Sequence, residues 1–163
     1  MQKGYIQLYT GDGKGKTTAA IGVSVRAIAC GMRIFFAQFM KKCYSSAHDI
    51  FSSYSQNITL QQYGLGQFTI GKPSKNDISL ARQGWNDCKA AFTDGLYDVI
   101  VMDEFSTVLA LELVPVDEAI HALRKKSENT EVIITGRNAP QVLIDLADLV
   151  TEMKEIKHYY RIG

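Results

Sequence analysis

The chain of 163 residues has little cysteine, no excess of charge and no long apolar run. Its three cysteines, Cys30, Cys43 and Cys88, have no C-x-x-C spacing, and their odd number excludes a complete disulfide framework. The 18 basic and 17 acidic residues leave a net charge of +1, which argues against nucleic acid or a membrane as partner. No signal peptide precedes the first strand pattern, and no apolar run approaches transmembrane length. We therefore expect a single cytoplasmic domain over residues 1–163, with reduced thiols.

Strand and helix patterns alternate along the chain, without an internal repeat or a linker. The predicted strands are 5–10, 34–39, 58–63, 99–102, 131–135 and 149–153. The predicted helices are 16–30, 77–92, about 115–126 and about 140–147. In the first two helices the expected buried faces are Ala20, Val23, Ala27 and Cys30, and Ile78, Ala81, Trp85 and Cys88. This alternation predicts an α/β fold with a mainly parallel sheet, helices on both faces and ligand-binding loops at the carboxyl ends of the strands.

The most informative segment is the glycine-rich loop Thr10-Gly-Asp-Gly-Lys-Gly-Lys-Thr-Thr18, between the first strand and the first helix. Its three glycines let backbone N–H groups turn inward: Gly11, Gly13 and Gly15. Lys16 can contact the outer phosphates of a nucleotide, and the Thr17 hydroxyl can ligate Mg²⁺. The first glycine comes one residue later than in the usual G-x-x-x-x-G-K-[ST] pattern. We predict a nucleoside triphosphate site; the alternative is a surface turn rich in glycine and lysine.

Two polar segments follow buried strands. Asp103 and Glu104 come after an apolar strand, in the Walker B arrangement, and either acid could hold Mg²⁺ or instead cap the next helix or stay solvated. With the glycine-rich loop present we favour the metal role, and Glu104 over Asp103. Arg137 follows the strand 131–135 and could pair with phosphate oxygens, or equally be a surface arginine after a turn.

The least regular stretch is 42–75, where we expect a second substrate. Three aromatic residues there could stack on a flat ligand, although aromatics near short strands are more often core: Tyr54, Tyr63 and Phe68. Phe68 is the strongest of these because it lies in a glycine-rich segment. The histidines show no metal spacing: His48, His121 and His158. Nothing resembles a nucleophile–base triad.

Five sequence blocks occur together in a specific order. They are Thr10–Thr18, Gln38-Phe-Met-Lys41, Val101-Met-Asp-Glu104, Val132-Ile-Ile-Thr-Gly-Arg137 and 147–158. Together they resemble the ATP:cob(I)alamin (corrinoid) adenosyltransferases of the P-loop type. The resemblance covers nearly the whole chain and accounts for the late glycine, because that family's loop has the same T-G-x-G-K-G-K-[ST] form.

The resemblance implies a RecA-like homodimeric enzyme. It would transfer the 5′-deoxyadenosyl group of ATP to the cobalt of a reduced corrinoid and release tripolyphosphate, in cobalamin biosynthesis or salvage. ATP would lie in reversed polarity in the loop, and a flavoprotein would act as reductant. Because cobalt(I) is itself the nucleophile, no general base is needed.

The resemblance also implies roles for individual residues. ATP would be held by Gly11, Asp12, Gly13, Lys14, Gly15, Lys16, Thr17, Thr18 and Arg137. Mg²⁺ or Mn²⁺ would be held by Thr17 and Glu104, with Asp103 as a further candidate, and the catalytic set would be Lys16, Glu104 and Arg137. Phe68 would displace the lower axial base of the corrinoid. This chain departs from the family at 42–45, Ile70 and Gly71, all on the corrinoid side.

Two other function classes fit the loop. One is a P-loop ATPase or small-molecule kinase that uses Asp103 or Glu104 to orient a nucleophile. The other is a regulatory protein that binds a nucleotide without catalysis. The products formed from ATP and reduced cobalamin distinguish all three.

Overall fold

The computed structural model describes residues 3–41, 46–52, 56–65 and 73–159, without the side chains of 46–48. The strands are β1 (Ile6–Thr10), β2 (Ile34–Phe39), β3 (Ile58–Tyr63), β4 (Val99–Asp103), β5 (Glu131–Thr135) and β6 (Leu149–Glu152). The helices are α1 (Lys16–Ala29), α2 (Ser46–Ser52), α3 (Lys75–Ala91), α4 (Phe105–Ala110), α5 (Val116–Arg124) and α6 (Gln141–Leu146). The predicted α/β fold is confirmed. No described helix is both long and apolar enough to cross a membrane.

The described strands form one six-stranded sheet in the order β3-β2-β4-β5-β1-β6. Every pair is parallel, including β1 with both β5 and β6. Every residue of β2, β4 and β5 is buried, as expected for central parallel strands covered on both faces. By contrast, all four residues of β6 are exposed at the edge of the sheet. Because the strands are parallel, the segments that follow them meet along one edge.

Two apolar clusters cover the opposite faces of the sheet. One contains Phe35, Ala37 and Phe39 of β2, with helices α3 to α6. The other contains Ile34 and Phe36 of the same strand, with α1 and α2. Alternate residues of one strand therefore supply both clusters, which gives the sheet its helices on both faces.

The predicted buried face of α1 is partly wrong. Val23 and Ala27 are only half-buried and Cys30 is exposed, whereas Ser24 and Ile28 are buried along with Ala20. Residues four apart therefore face the sheet, and the Ser24 hydroxyl donates a hydrogen bond to the Ala20 carbonyl at 2.8 Å. Serine can occupy this face because that bond satisfies its hydroxyl.

The predicted buried face of the second helix is correct at three of its four positions. Ala81, Trp85 and Cys88 of α3 are buried, but Ile78 is 41% exposed. Ile78 lies in the first turn of the helix, ahead of the part that packs on the sheet. The segments α2 and α4 were not predicted as helices. Both are short, and four of the six residues of α4 are buried, so α4 lacks the repeated polar face of a longer helix.

A carboxylate on α5 anchors α3. Glu118 accepts hydrogen bonds from Lys89 Nζ at 2.8 Å and from Trp85 Nε1 at 2.6 Å. The hydrogen bond from Lys89 is the largest cause that lowers the pKa of Glu118 below its ordinary value, and the hydrogen bond from Trp85 is the next. The indole N–H of a fully buried tryptophan is thereby satisfied.

Candidate nucleotide-binding site

A cavity of about 310 Å³ opens at the carboxyl ends of the strands. It is lined by Asp12, Gly13, Lys14, Gly15, Lys16, Thr17, Thr18, Glu104, Arg137, Glu155 and His158. Four neighbouring strands contribute in sheet order, with Glu104 after β4, Arg137 after β5, the glycine-rich loop after β1 and His158 after β6. The loop, Glu104 and Arg137, which are far apart in the sequence, therefore line one cavity.

The loop wraps around the ammonium group of Lys16. Lys16 Nζ donates to the Gly11 carbonyl at 2.6 Å and to the Gly13 carbonyl at 2.8 Å. The left-handed φ of 119° at Gly15 turns the chain into α1. Burial lowers the pKa of Lys16, and the nearby positive charge of Arg137 lowers it further. Two cations so close together in one cavity favour an anionic ligand.

The chain that follows β6 packs directly against the loop, and we call residues 153–159 the C-terminal strap. The Gly13 N–H donates to the Met153 carbonyl at 2.6 Å. A Cβ added at Gly11 would lie 2.5 Å from that carbonyl oxygen, and one added at Gly13 would lie 2.7 Å from it. Glycine at both positions is therefore required by the packing of the strap as well as by the turn of the loop.

Asp103 lies beneath the cavity, not in its wall. Its fully buried side chain accepts from Thr17 Oγ1 at 2.8 Å and Thr135 Oγ1 at 2.7 Å, both at Oδ1. Lys41 Nζ donates to Oδ2 at 2.6 Å and lies 3.3 Å from Thr17 Oγ1. A buried carboxylate needs such partners to offset its desolvation. In this arrangement the Thr17 hydroxyl donates to Asp103 and accepts from Lys41, which leaves one of its two lone pairs for a ligand.

Of the two acids at the end of β4, Glu104 is the one that lines the cavity. Its backbone is left-handed, with a φ of 63°, and its N–H donates to Thr135 Oγ1 at 3.0 Å. Its carboxylate accepts from Thr107 Oγ1 at 2.9 Å. A strained non-glycine residue held by two hydroxyl contacts is typical of a functional site. The strain follows from the change of direction between β4 and α4, which begins at the next residue.

The oxygen ligands that face the cavity fit a hard divalent cation. Thr17, with its hydroxyl, and Glu104, with its carboxylate, are both among the residues that line it. No group of three or more acidic, histidine or cysteine side chains suited to a metal exists in the described part of the chain. Such a sparse protein ligand set suits Mg²⁺, which retains waters and binds together with substrate phosphates.

Arg137 adds a second cation at the mouth of the cavity. Its Nη2 donates to the Asp12 carbonyl at 3.3 Å, and its N–H donates to Thr107 Oγ1 at 3.3 Å. The preceding Gly136 has a φ of 143°, and a Cβ there would lie 2.9 Å from the Ser106 side chain. The close approach of α4 to this turn thus fixes the direction in which Arg137 leaves β5.

Sequence reasoning gave no individual role to three residues of this site, although all three lie in the blocks that carry the family resemblance: Lys41, Glu155 and His158. Lys41 follows β2, and only the adjacency of β2 and β4 brings it to Asp103. Glu155 and His158 reach the cavity only because β6 pairs with β1. Of the predicted aromatic contacts, Tyr63 is buried in the core and donates to Asp87. The predictions at 42–45, Tyr54, Phe68, Ile70 and Gly71 lie outside the described residues.

The fold is similar to that of the flagellar accessory protein FlaH from Methanocaldococcus jannaschii, with a TM-score of 0.64. That match covers 93% of this chain and 72% of FlaH at 12% identity, so it shows the fold alone. The Corrinoid adenosyltransferase of Escherichia coli (strain K12) is 30% identical over 99% of this chain and 82% of its own length. That of Sinorhizobium sp is 36% identical over 99% of this chain and 77% of its own length. The family model for ATP:corrinoid adenosyltransferase BtuR/CobO/CobP matches residues 2–163, and the chain belongs to this family.

Proposed function

We propose that the protein transfers the 5′-deoxyadenosyl group of ATP to the cobalt of a reduced corrinoid. The electron pair of cobalt(I) attacks C5′ of the ribose, the C5′–O bond breaks, and its electron pair leaves with tripolyphosphate. The nucleophile is supplied by the substrate, so the protein has to align the reactants and stabilise the charge on the leaving group. The observation that carries this proposal is the cavity where the glycine-rich loop, Glu104 and Arg137 meet.

Each cavity residue has a role in this reaction. Lys16 and Arg137 offset the negative charge that develops on the leaving polyphosphate. Thr17 and Glu104 hold Mg²⁺ or Mn²⁺, which neutralises phosphate charge when bound. Asp103 acts through the Thr17 hydroxyl, because its own oxygens are engaged by Thr17, Thr135 and Lys41.

Further parts of the proposal concern the second substrate and the cellular setting. Phe68 displaces the lower ligand of the corrinoid, the enzyme acts as a cytoplasmic homodimer, and a flavoprotein supplies electrons. The product enters cobalamin biosynthesis or salvage. These statements rest on the family and on the segments that follow β2 and β3.

The decisive test is a product assay with ATP, Mg²⁺ and chemically reduced cobalamin. The visible spectrum reports the cobalt–carbon bond, and phosphate analysis separates tripolyphosphate from smaller products. We expect adenosylcobalamin and tripolyphosphate in equal amounts. ADP and orthophosphate without a cobalt–carbon product would instead indicate an ATPase or kinase, and ATP binding without any product would indicate a regulatory protein.

A variant ties the reaction to the loop. Lys16→Ala removes a charged donor placed beside the phosphates, which should cost about 2–4 kcal/mol of transition-state stabilisation, or roughly 30- to 1,000-fold in kcat/KM. Lys125→Ala is the matched control, since Lys125 is exposed at the end of α5 and does not line the cavity. Turnover by Lys16→Ala near that of the control would contradict the placement of the triphosphate in this loop.

A further inference from the structure

The C-terminal strap engages one backbone N–H of the loop that could otherwise donate to a phosphate, and it places a histidine in the same cavity. The Gly13 N–H donates to the Met153 carbonyl at 2.6 Å, so this amide is directed at the strap and not into the cavity. Five residues further along, His158 lines the cavity together with the loop. The imidazole N–H is a directed donor of the kind that phosphate oxygens accept.

Aromatic and cationic contacts connect His158 to the glycine-rich loop through Tyr159. Its ring stacks on Tyr159, with 4.8 Å between ring centroids and 28° between planes. Lys14 Nζ lies 6.0 Å from the centroid of the Tyr159 ring, which links the strap to the loop. Besides Glu104, two further acidic residues, Asp12 and Glu155, line the same cavity. This region is therefore not a general cationic patch, and a phosphate would be held there by individual donors.

The strand order indicates which end of the nucleotide reaches the strap. The cavity extends from β4 to β6, three strand intervals, which at about 4.8 Å each is roughly 14 Å. Beyond β4 lie β2 and β3, which are followed by the segments 40–57, which includes α2, and 64–74. Long connections at this edge of a sheet are where a large second substrate binds. With the reversed nucleotide polarity that the family resemblance implies, the reacting C5′ faces that substrate and the polyphosphate extends the other way, toward β6.

We propose that His158 binds the terminal phosphate of the nucleotide, with Lys14 beside it. This inference rests on the proposed function and adds the C-terminal strap to the elements that contact the phosphates. In the product complex the same contact would hold the far end of tripolyphosphate.

The test measures binding to the full chain with Mg²⁺ and without corrinoid. The ligands are ATP, inorganic tripolyphosphate and AMP, titrated calorimetrically. His158→Phe keeps a ring that can stack on Tyr159 but removes the N–H donors. We expect it to weaken ATP and tripolyphosphate binding about tenfold, as for loss of one hydrogen bond to a charged group, and to leave AMP unchanged. His158→Gln, which restores an N–H donor, should recover part of the loss.

The matched control is Ile156→Ala, because Ile156 belongs to the same strap, is 91% exposed and does not line the cavity. It should bind all three ligands as the unaltered protein does. Unchanged tripolyphosphate affinity in His158→Phe overturns the inference, as does a loss confined to AMP or a loss equal for all three ligands. If Lys16→Ala abolishes tripolyphosphate binding while His158→Phe does not, only the role of His158 fails. If the unaltered protein does not bind ATP, the proposed function fails as well.

Discussion

The ion pair between Lys41 and Asp103 should contribute more to stability than an ordinary surface pair. The Lys41 side chain is 30% exposed, the Asp103 side chain is fully buried, and the Nζ–Oδ2 distance is 2.6 Å. Exposed pairs contribute about 0–1 kcal/mol, whereas breaking a fully buried pair costs about 3–5 kcal/mol. Between these limits, we expect a coupling energy of about 2 kcal/mol from the double-mutant cycle of Lys41→Met and Asp103→Asn.

Urea unfolding measures the free energy of unfolding of the unaltered protein, the two single variants and the double variant, provided that the m-value is constant. The chain contains a matched control in Arg33 and Asp98, whose side chains are 50% and 37% exposed and 3.8 Å apart. The cycle of Arg33→Met and Asp98→Asn should give a coupling energy below about 1 kcal/mol. A coupling energy for the Lys41 pair no larger than for the Arg33 pair would refute the argument from burial.

Three other changes test the packing and charge of individual residues. Gly13→Ala should lower the thermal midpoint, since its Cβ would meet a carbonyl oxygen at 2.7 Å, whereas Gly22→Ala, with nothing within 4 Å, should add about 0.5–1 kcal/mol. Equal shifts for the two would contradict the steric explanation. Because the folded-state pKa of Glu118 is lowered, its contribution is complete above the unfolded-state value of about 4.3 and is lost as pH falls through the folded value. The difference in urea midpoint between the unaltered protein and Glu118→Gln should therefore shrink below about pH 4, and a difference independent of pH would show that charge is not the cause. Ser106 Oγ is buried without a hydrogen-bond partner among the described residues, so Ser106→Ala should be neutral or stabilise by up to about 1 kcal/mol. A loss above that size would reveal a partner for the hydroxyl.

The sheet could be predicted because its strands are short apolar runs between turn residues. β2, β3 and β5 begin and end where the sequence predicts. Helix packing was harder, because the face that α1 buries includes Ser24, whose hydroxyl is satisfied within the helix. α4 could not be found by periodicity, since six residues make fewer than two turns.

The candidate site divides in the same way. The loop and Glu104 carry local patterns, so the sequence indicates them directly, whereas the position of Arg137 fits a surface residue equally well and only the resemblance gives it a phosphate role. Lys41 and His158 lie in blocks that carry the family resemblance, but the residues around them indicate no role, and their positions depend on which strands are neighbours. Strand order is decided by the packing of the whole sheet, and the sequence around either residue does not contain it.

Gly11 and Gly13 are required both by the turn of the loop and by the packing of the strap, and this limits what their presence in a sequence says about activity. Any descendant that kept the strap against the loop would retain both glycines for folding alone, even after losing the ability to use ATP. Their spacing is therefore a weak diagnostic of catalytic competence. Under the proposed function Arg137, whose side chain is exposed, would be the more informative position for separating active relatives from inactive ones.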